Sequence, residues 1–199
     1  SPSSAASDVY KRQHMEGRMK GQYFIMASII LCSLVFLSLP AFYKSTQYIS
    51  SDFKYILHNI ESEFPHSLNL GLERDMPIET LSNFTLFVRG ALKEKFLHAR
   101  FLWMVSLMQP DGSVKIYVGN FLDEDCEVNL VVEGVSRNTV LSDGEVFSET
   151  FPTLPEKFYT SLEFKGKEKE AEWLRDKTNL YLYAELSRNT DVAVKEIEA

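Results

Sequence analysis

The side chains that could bind a metal or transfer a proton are scattered along this 199-residue chain. The four histidines do not have the spacing of a zinc site: His14, His58, His66 and His98. The two cysteines, Cys32 and Cys126, are too few and too far apart to make a disulfide framework. Neither a phosphate-cradling glycine loop nor a Gly-x-Ser-x-Gly motif is present. The sequence therefore predicts that the protein is not an enzyme and has no cofactor.

An acidic turn, Asp123-Glu124-Asp125, is the strongest candidate for a cation site. Carboxylate and backbone oxygens bind calcium, and Asp111 and Asp143 could join this turn if their loops met at one end of a sandwich. Acidic turns are also common on acidic proteins, and no regular ligand spacing such as that of an EF-hand accompanies this one. We therefore interpret it as an exposed turn and predict no metal site.

A stretch without charged residues, Gln22 to Tyr43, organises the rest of the chain. As a helix it would measure about 33 Å, close to the roughly 30 Å of a bilayer's hydrocarbon core. A soluble helix would carry polar residues along one face, whereas only small hydroxyl and thiol side chains interrupt this run. We predict a transmembrane helix over residues 22–43, in contact with the lipid bilayer.

Charges around this stretch predict its orientation. Arg18 and Lys20 precede it, and Lys44 is the only charge directly after it. The positive-inside tendency places the N-terminus in the cytoplasm and the remaining chain outside the cell membrane. From Lys44 onward the chain has 17 basic and 26 acidic residues, and this acidic balance disfavours binding to nucleic acid.

The junction Lys20-Gly21-Gln22, directly before the long apolar stretch, resembles the class III signal of archaeal pilin-like proteins. The resemblance implies that a prepilin peptidase cuts after Gly21, leaving Gln22 as the new N-terminus with the membrane helix attached. It also implies other pilin-like subunits as partners. Pilins that assemble usually carry Glu at the fifth position after the cut, where this chain has Met26. A simple uncleaved signal anchor is equally consistent with the charges and the apolar length.

The rest of the chain divides around the membrane helix. Residues 3–13, SSAASDVYKRQ, resemble a translated sequencing adapter, so residues 1–14 are interpreted as an artefactual or disordered tail. Residues 15–21 form the cytoplasmic segment before the membrane helix. After that helix we predict a helical stalk or hairpin over residues 44–98 and a β-sandwich domain over residues 99–199.

Two amphipathic helices are predicted in the first of these parts. Apolar residues recur every three or four positions over residues 45–64, and Pro65 is expected to end that helix. Asp75 before Pro77 has the pattern of a helix cap followed by proline, so the second helix is predicted over residues 77–97, with Phe96 on its apolar face. The two helices could pair as a hairpin, or the second could pack on the following sheet.

The period changes to that of β-strands from about Arg100. Turn signals recur about every 8–12 residues, beginning with Pro110-Asp111-Gly112-Ser113. This spacing predicts an antiparallel sandwich with strands over residues 101–108, 114–121, 126–133, 139–141, 145–151, 158–165, 180–186 and 191–198. The charged stretch Lys165 to Lys177 could be a hairpin turning at Gly166 or a short surface helix, and we favour the hairpin.

Residues 114–151 combine a strand ending in Asn120, an acidic turn, a second strand and the sequence LSDGE before a third strand. This order resembles immunoglobulin-like modules of archaeal and bacterial surface proteins. The Cys-Trp-Cys signature of antibody domains is missing. The predicted fold class is therefore α+β and membrane-anchored: a transmembrane helix, a helical stalk or hairpin, and an immunoglobulin-like antiparallel β-sandwich.

Tyr181 and Tyr183 alternate with Leu180 and Leu182, so one of the two pairs is expected to face away from the sandwich core. An exposed tyrosine row can bind partners or sugars, although such a row can also pack against a helix or loop. We predict a single-pass, extracytoplasmic structural or adhesion protein, with a minor pilin-like subunit as one form of it. The alternative is an accessory ectodomain that binds a ligand or partner, with Tyr181 and Tyr183 as the candidate binding residues.

Overall fold

The computed structural model describes residues 51–199, which belong to one compact unit, Ile49–Ala199. The predicted membrane helix and the predicted cleavage residues Gly21 and Gln22 lie outside the described residues. Two helices come first, α1 (Ser51–Glu73) and α2 (Pro77–Lys93). The strands are β1 (His98–Met108), β2 (Val114–Phe121), β3 (Cys126–Val132), β4 (Val135–Leu141), β5 (Val146–Phe151), β6 (Lys157–Phe164), β7 (Lys167–Leu174), β8 (Asn179–Arg188) and β9 (Asp191–Glu198). Neither helix in this part of the chain is long and apolar enough to cross a bilayer.

The strands form two antiparallel sheets, and the predicted sandwich is confirmed. The first sheet has the order β5-β2-β1-β8-β9, and the second has the order β4-β3-β6-β7. The helices cover one face of the first sheet, and the second sheet covers its other face. The described unit therefore has three layers and two hydrophobic cores, one on each side of the first sheet.

Strand β1 supplies both cores because its side chains alternate between the two faces. Phe101, Trp103 and Val105 face the helices, while Leu102 and Met104 face the second sheet. The Trp103 ring lies directly over Gly119 of β2, where an added Cβ would come within 2.4 Å of a ring carbon. Glycine is needed at this position because any side chain would displace the indole.

The helices form a hairpin that also packs on the first sheet, so both arrangements considered from the sequence occur together. Phe64 of α1 packs against Phe84 of α2 and Phe101 of β1, with ring centroids 5.1 and 5.2 Å apart. The helices approach closely at their turn: a Cβ on Gly71 would lie 2.6 Å from the Pro77 Cα. The hairpin and the sheet thus share one core.

The prediction that Pro65 ends the first helix is wrong, because α1 continues through it to Glu73. A proline inside a helix removes one backbone hydrogen bond and costs about 3 kcal/mol. Phe64 and Leu68, on either side of Pro65, are both buried in the core beneath the helix. Burial of such side chains contributes about 1.5–3 kcal/mol each, which offsets the cost of the proline.

The predicted cap and end of the second helix are also corrected. Asp75 does not cap α2; its φ of 58° places it in the left-handed turn that ends α1, and Met76 precedes α2 without a side-chain cap. Helix α2 ends at Lys93 rather than at residue 97. Phe96 has a φ of 57° and is exposed, so it does not belong to the apolar face. Leu97 is buried in its place.

The strand predictions agree closely with the structure. The favoured hairpin at Gly166 is confirmed, since β6 and β7 pair in register from Phe164 with Lys167 to Lys157 with Leu174. The hairpin at Gly112 joins β1 to β2 as predicted. Strand β4 is longer than the three residues predicted, because it pairs with β3 from Val135 to Leu141 even though most of its side chains are exposed.

Candidate functional site

Tyr181 and Tyr183 do not form an exposed row. Both side chains are buried in the core between the two sheets, while Leu180 and Leu182 are buried on the opposite face beneath the helices. The alternation was identified correctly, but the helical hairpin covers the face that a two-layer sandwich would leave open. Neither tyrosine is accessible to a partner in this structure.

The two tyrosines differ in their hydrogen bonds. The Tyr183 hydroxyl donates to Glu185 at 2.8 Å and accepts from the Lys167 ammonium at 3.0 Å. The Tyr181 hydroxyl has no hydrogen-bond partner within the described part of the chain. Burial raises the pKa of both phenols well above the usual value, and for Tyr183 the hydrogen bond to Glu185 raises the pKa further. Both phenols therefore stay neutral, and their rings pack in the core between the two sheets.

The acidic loops meet an arginine. Asp123 and Asp143 converge at one end of the sandwich, where the Arg89 guanidinium from α2 bonds to both carboxylates, with 3.1 Å contacts to Asp143. Burial lowers the pKa of Arg89, but the Asp143 hydrogen bond and the two negative charges outweigh this and raise it overall. Asp111 lies in the turn at the other end of β2 and bonds to Ser113 instead. Arg89 thus takes the place between the carboxylates that a cation would need.

Asn120 holds the same end of the sandwich together. It is fully buried, and its amide nitrogen donates to the carbonyl oxygens of Glu124 and Leu141, both at 2.8 Å. Its side-chain oxygen accepts from the backbone N–H of Leu122 at 3.1 Å. The Gly144 N–H donates to the Asn120 carbonyl at 2.7 Å. The asparagine and the LSDGE turn that stood out in the sequence therefore have a structural role in joining β2 to the loop before β5.

The three histidines in the described part do not meet. His58, His66 and His98 are all exposed, and within residues 51–199 no group of three histidine, cysteine or acidic side chains is arranged to hold a metal ion. Cys126 is a buried free thiol whose pKa is raised by burial, which makes it unreactive. These side chains offer no geometry for nucleophilic or metal-assisted chemistry.

The best candidate site is an apolar groove of about 680 Å³ along the solvent-facing side of the helical hairpin. Its floor consists of buried or partly buried apolar side chains from both helices: Ile56, Ile60, Phe84, Val88, Ala91 and Leu92. Tyr55 and Phe87 stand at its edges and are 68% and 70% exposed. Because apolar side chains recur at helical spacing along both α1 and α2, the groove between them could accept an apolar partner.

Charges of both signs border this groove. Asp52 and Glu63 come from α1, whereas Lys95 follows α2 and Arg188 ends β8. The Arg188 guanidinium lies 5.7 Å from the centroid of the Phe53 ring, a cation–π contact, and its Nε has no hydrogen-bond partner within the described residues. The groove can therefore combine apolar contacts with hydrogen bonds to an anionic group.

Sequence reasoning missed Tyr55 and Phe87 because both lie beside the predicted apolar stripes rather than on them. Tyr55 directly precedes Ile56, and Phe87 directly precedes Val88, and Ile56 and Val88 are among the apolar residues whose spacing predicts the two helices. An aromatic residue next to such a stripe makes the apolar face of a helix wider than packing against a single core requires. This extra width is the feature of the sequence that could have indicated an exposed binding surface.

No protein-family model matches this chain, and no curated protein is significantly similar to it in sequence.

Proposed function

We propose that this chain is a single-pass membrane protein whose helix-covered β-sandwich lies outside the cytoplasm and has a structural or adhesive role. The observation that carries the proposal is the charge-free stretch Gln22 to Tyr43, preceded by Arg18 and Lys20. Its length suits a bilayer, and the charge bias suits an N-terminus in the cytoplasm. The sandwich then follows the membrane helix on the outer side.

The described residues support a structural role because their polar side chains stabilise the fold. Arg89 connects α2 to two loops of the sandwich, and Asn120 connects β2 to two neighbouring segments. The Tyr183 hydroxyl is bonded to groups of both sheets. A rigid body with two cores is suited to bearing load or presenting a surface at a fixed distance from a membrane.

A minor pilin-like subunit is the more specific form of this proposal. It rests on the junction Lys20-Gly21-Gln22, and the immunoglobulin-like resemblance of residues 114–151 agrees with a surface module. In this form a prepilin peptidase removes the residues up to Gly21, and the membrane helix then packs with other pilin-like subunits.

The test is the intact mass of the membrane-extracted protein, expressed from Met15 in an archaeal host that has a prepilin peptidase. A mass corresponding to a chain that begins at Gln22 supports the pilin-like form, and a Gly21→Val variant, which should stay uncut, is the matched control. A full-length mass for the unmodified chain overturns the pilin-like form. Extraction of the protein by alkaline carbonate, which removes peripheral proteins, would overturn the membrane anchor as well.

The alternative function is an accessory ectodomain that binds a ligand or partner, and the apolar groove on the helical hairpin favours it. In this case Phe87→Ser should abolish co-purification of a membrane-complex partner while leaving membrane anchoring unchanged. Tyr159→Ser is a suitable control because Tyr159 is equally exposed but belongs to the second sheet. Equal loss with both variants, or with neither, would contradict a groove-based binding role.

A further inference from the structure

Three of the exposed aromatic side chains lie on the helical hairpin or in the segment directly after it. Among the exposed large hydrophobic residues in the described part of the chain, four are aromatic: Tyr55, Phe87, Phe96 and Tyr159. Tyr55 and Phe87 border the same groove, and Phe96 follows Lys95, which also lines it. We refer to Tyr55, Phe87 and Phe96 as the aromatic rim. Only Tyr159 lies elsewhere, on the second sheet.

Phe96 is the most unusual member of the rim. It is 86% exposed, and its φ of 57° places it in the left-handed region that glycine or asparagine usually occupies after a helix. A non-glycine residue in this region costs about 1 kcal/mol, and exposure of a large apolar ring contributes nothing to folding. Both the left-handed backbone and the exposed ring are unfavourable for folding. Phenylalanine at this position therefore indicates a contact with a molecule outside the described fold.

The position of the rim points to the membrane. Because α1 and α2 are antiparallel, the start of α1 lies beside the end of α2, where Asp52 and Lys95 line one groove. Only seven residues separate Tyr43, the end of the apolar stretch, from Ser51. Fully extended, this tether spans at most about 28 Å. If the apolar stretch is the membrane anchor of the proposed function, the start of α1 is held within that distance of the bilayer.

The chemistry around the rim fits the boundary between headgroups and acyl chains. Lys54, Lys93 and Lys95 are exposed and lie within three positions of Tyr55 or Phe96 in the sequence, as do the exposed acidic residues Asp52 and Glu94. Tyrosine is enriched at this boundary, and phenylalanine is typical of the apolar face of interfacial helices. Lysines extend their ammonium groups toward the headgroups while their methylene stems lie along apolar surface. A protein partner would not require this closeness to the anchor.

We propose that the aromatic rim inserts into the outer leaflet of the membrane and lays the helical hairpin on the lipid surface. The inference rests on the proposed membrane anchor. It adds that the unit over residues 51–199 is bound to the bilayer at one surface and does not move freely on its tether. The sandwich then has a fixed orientation, with the second sheet directed away from the lipid.

The test uses tryptophan as a lipid-contact reporter. The chain has two tryptophans, Trp103 and Trp173, and both are buried, so a third one can be read as a difference from the parent protein. Full-length Phe96→Trp and Tyr159→Trp proteins are reconstituted in phosphatidylcholine–phosphatidylglycerol vesicles with and without brominated acyl chains. Side chains of an interfacial helix enter the headgroup–acyl boundary by about 5–10 Å, so the added emission at position 96 should be blue-shifted and fall about twofold in brominated vesicles. The added emission at position 159 should be the same in vesicles with and without brominated acyl chains.

Other outcomes overturn the inference in distinguishable ways. Emission at position 96 that is blue-shifted but not quenched would indicate burial against a second copy or another protein. Emission typical of water and insensitive to bromine would show that the rim stays in solvent. If the full-length protein is also extracted by alkaline carbonate, the anchor and the inference fail together. Carbonate-resistant protein with an unquenched residue 96 refutes the lipid contact alone.

Discussion

The two sheets of this protein differ in how many of their faces are covered, and the apolar patterns of their strands reflect this difference. Strand β1 of the first sheet, HARFLWMVSLM, is buried along almost its whole length because helices and the second sheet cover its two faces. Strand β6 of the second sheet, KFYTSLEF, alternates between buried and exposed positions because one of its faces meets solvent. A continuous apolar strand in an antiparallel protein thus indicates a third layer, here supplied by the helical hairpin.

The largest expected difference between the covered and the open sheet is at their aromatic residues. Trp103→Ala should reduce the free energy of unfolding by about 3–5 kcal/mol, because it leaves a cavity between the helices and β1. Tyr159→Ala on the open face should change it by less than about 0.5 kcal/mol. Urea unfolding followed by circular dichroism gives both values. Equal losses would mean that the helices do not cover the first sheet.

Asparagines provide the next comparison. Asn120→Ala removes three hydrogen bonds of a buried side chain at the end of the first sheet and should cost about 2–3 kcal/mol. Asn129→Ala on the exposed face of the second sheet also breaks side-chain hydrogen bonds, to Ser136 and Glu163, but water can replace them, and the cost should stay below about 1 kcal/mol. A small effect at Asn120 would contradict its role as the residue that joins these segments.

The two buried tyrosines should respond in opposite directions to the same substitution. Tyr181→Phe removes a buried hydroxyl that has no partner in the described structure, and it should stabilise the fold by about 1 kcal/mol. Tyr183→Phe leaves Lys167 and Glu185 without their shared partner and should destabilise the fold by a similar amount. Thermal unfolding of the parent protein and the two variants measures both changes in stability. A stabilising Tyr183→Phe would refute the hydrogen bonds described.

The same tyrosines predict alkaline instability. Because burial raises their folded-state pKa above the unfolded value of about 10, the unfolded chain releases these protons more readily than the folded protein. The free energy of unfolding is therefore unaffected by their ionisation below about pH 10 and falls as the pH rises further. The free energy of unfolding, measured with urea, should fall between about pH 8 and about pH 11, and it should fall less in Tyr181→Phe than in the parent protein. An identical loss in both would exclude Tyr181 as a contributor.

The ion pairs of Arg89 and Arg137 give the smallest expected difference between two variants. Arg89→Met breaks the contact between α2 and the loops that hold Asp123 and Asp143, and should cost about 1 kcal/mol, since these carboxylates are partly exposed. Arg137→Met breaks a more exposed pair with Glu149 and should cost less than about 0.5 kcal/mol. The difference between the variants should shrink in about 1 M salt, because screening weakens both pairs. A difference independent of salt would contradict an electrostatic contact.

Most of the fold between residues 51 and 199 could be predicted from the sequence, because its turns and periods are local features. The hairpins at Gly112 and Gly166 have φ values of 83° and 68°, conformations that favour glycine in a tight turn. The candidate site could not be predicted in the same way. Tyr55 and Phe87 border one groove only when α1 and α2 pair in antiparallel fashion, and Phe96, predicted on the apolar face of the second helix, is exposed instead.

Local chemistry in the sequence thus determined the two helical segments, the strand–turn pattern and the antiparallel sandwich. The tertiary structure decided what lies on each face: that α1 continues past Pro65, that Tyr181 and Tyr183 are buried, and that Arg89 joins two distant acidic loops. The physical reason is that turns and periodicity depend on residues a few positions apart. Burial, ion pairing and tolerance of a helical proline instead depend on contacts between residues far apart in the chain, whose stabilisation appears only after the layers have packed.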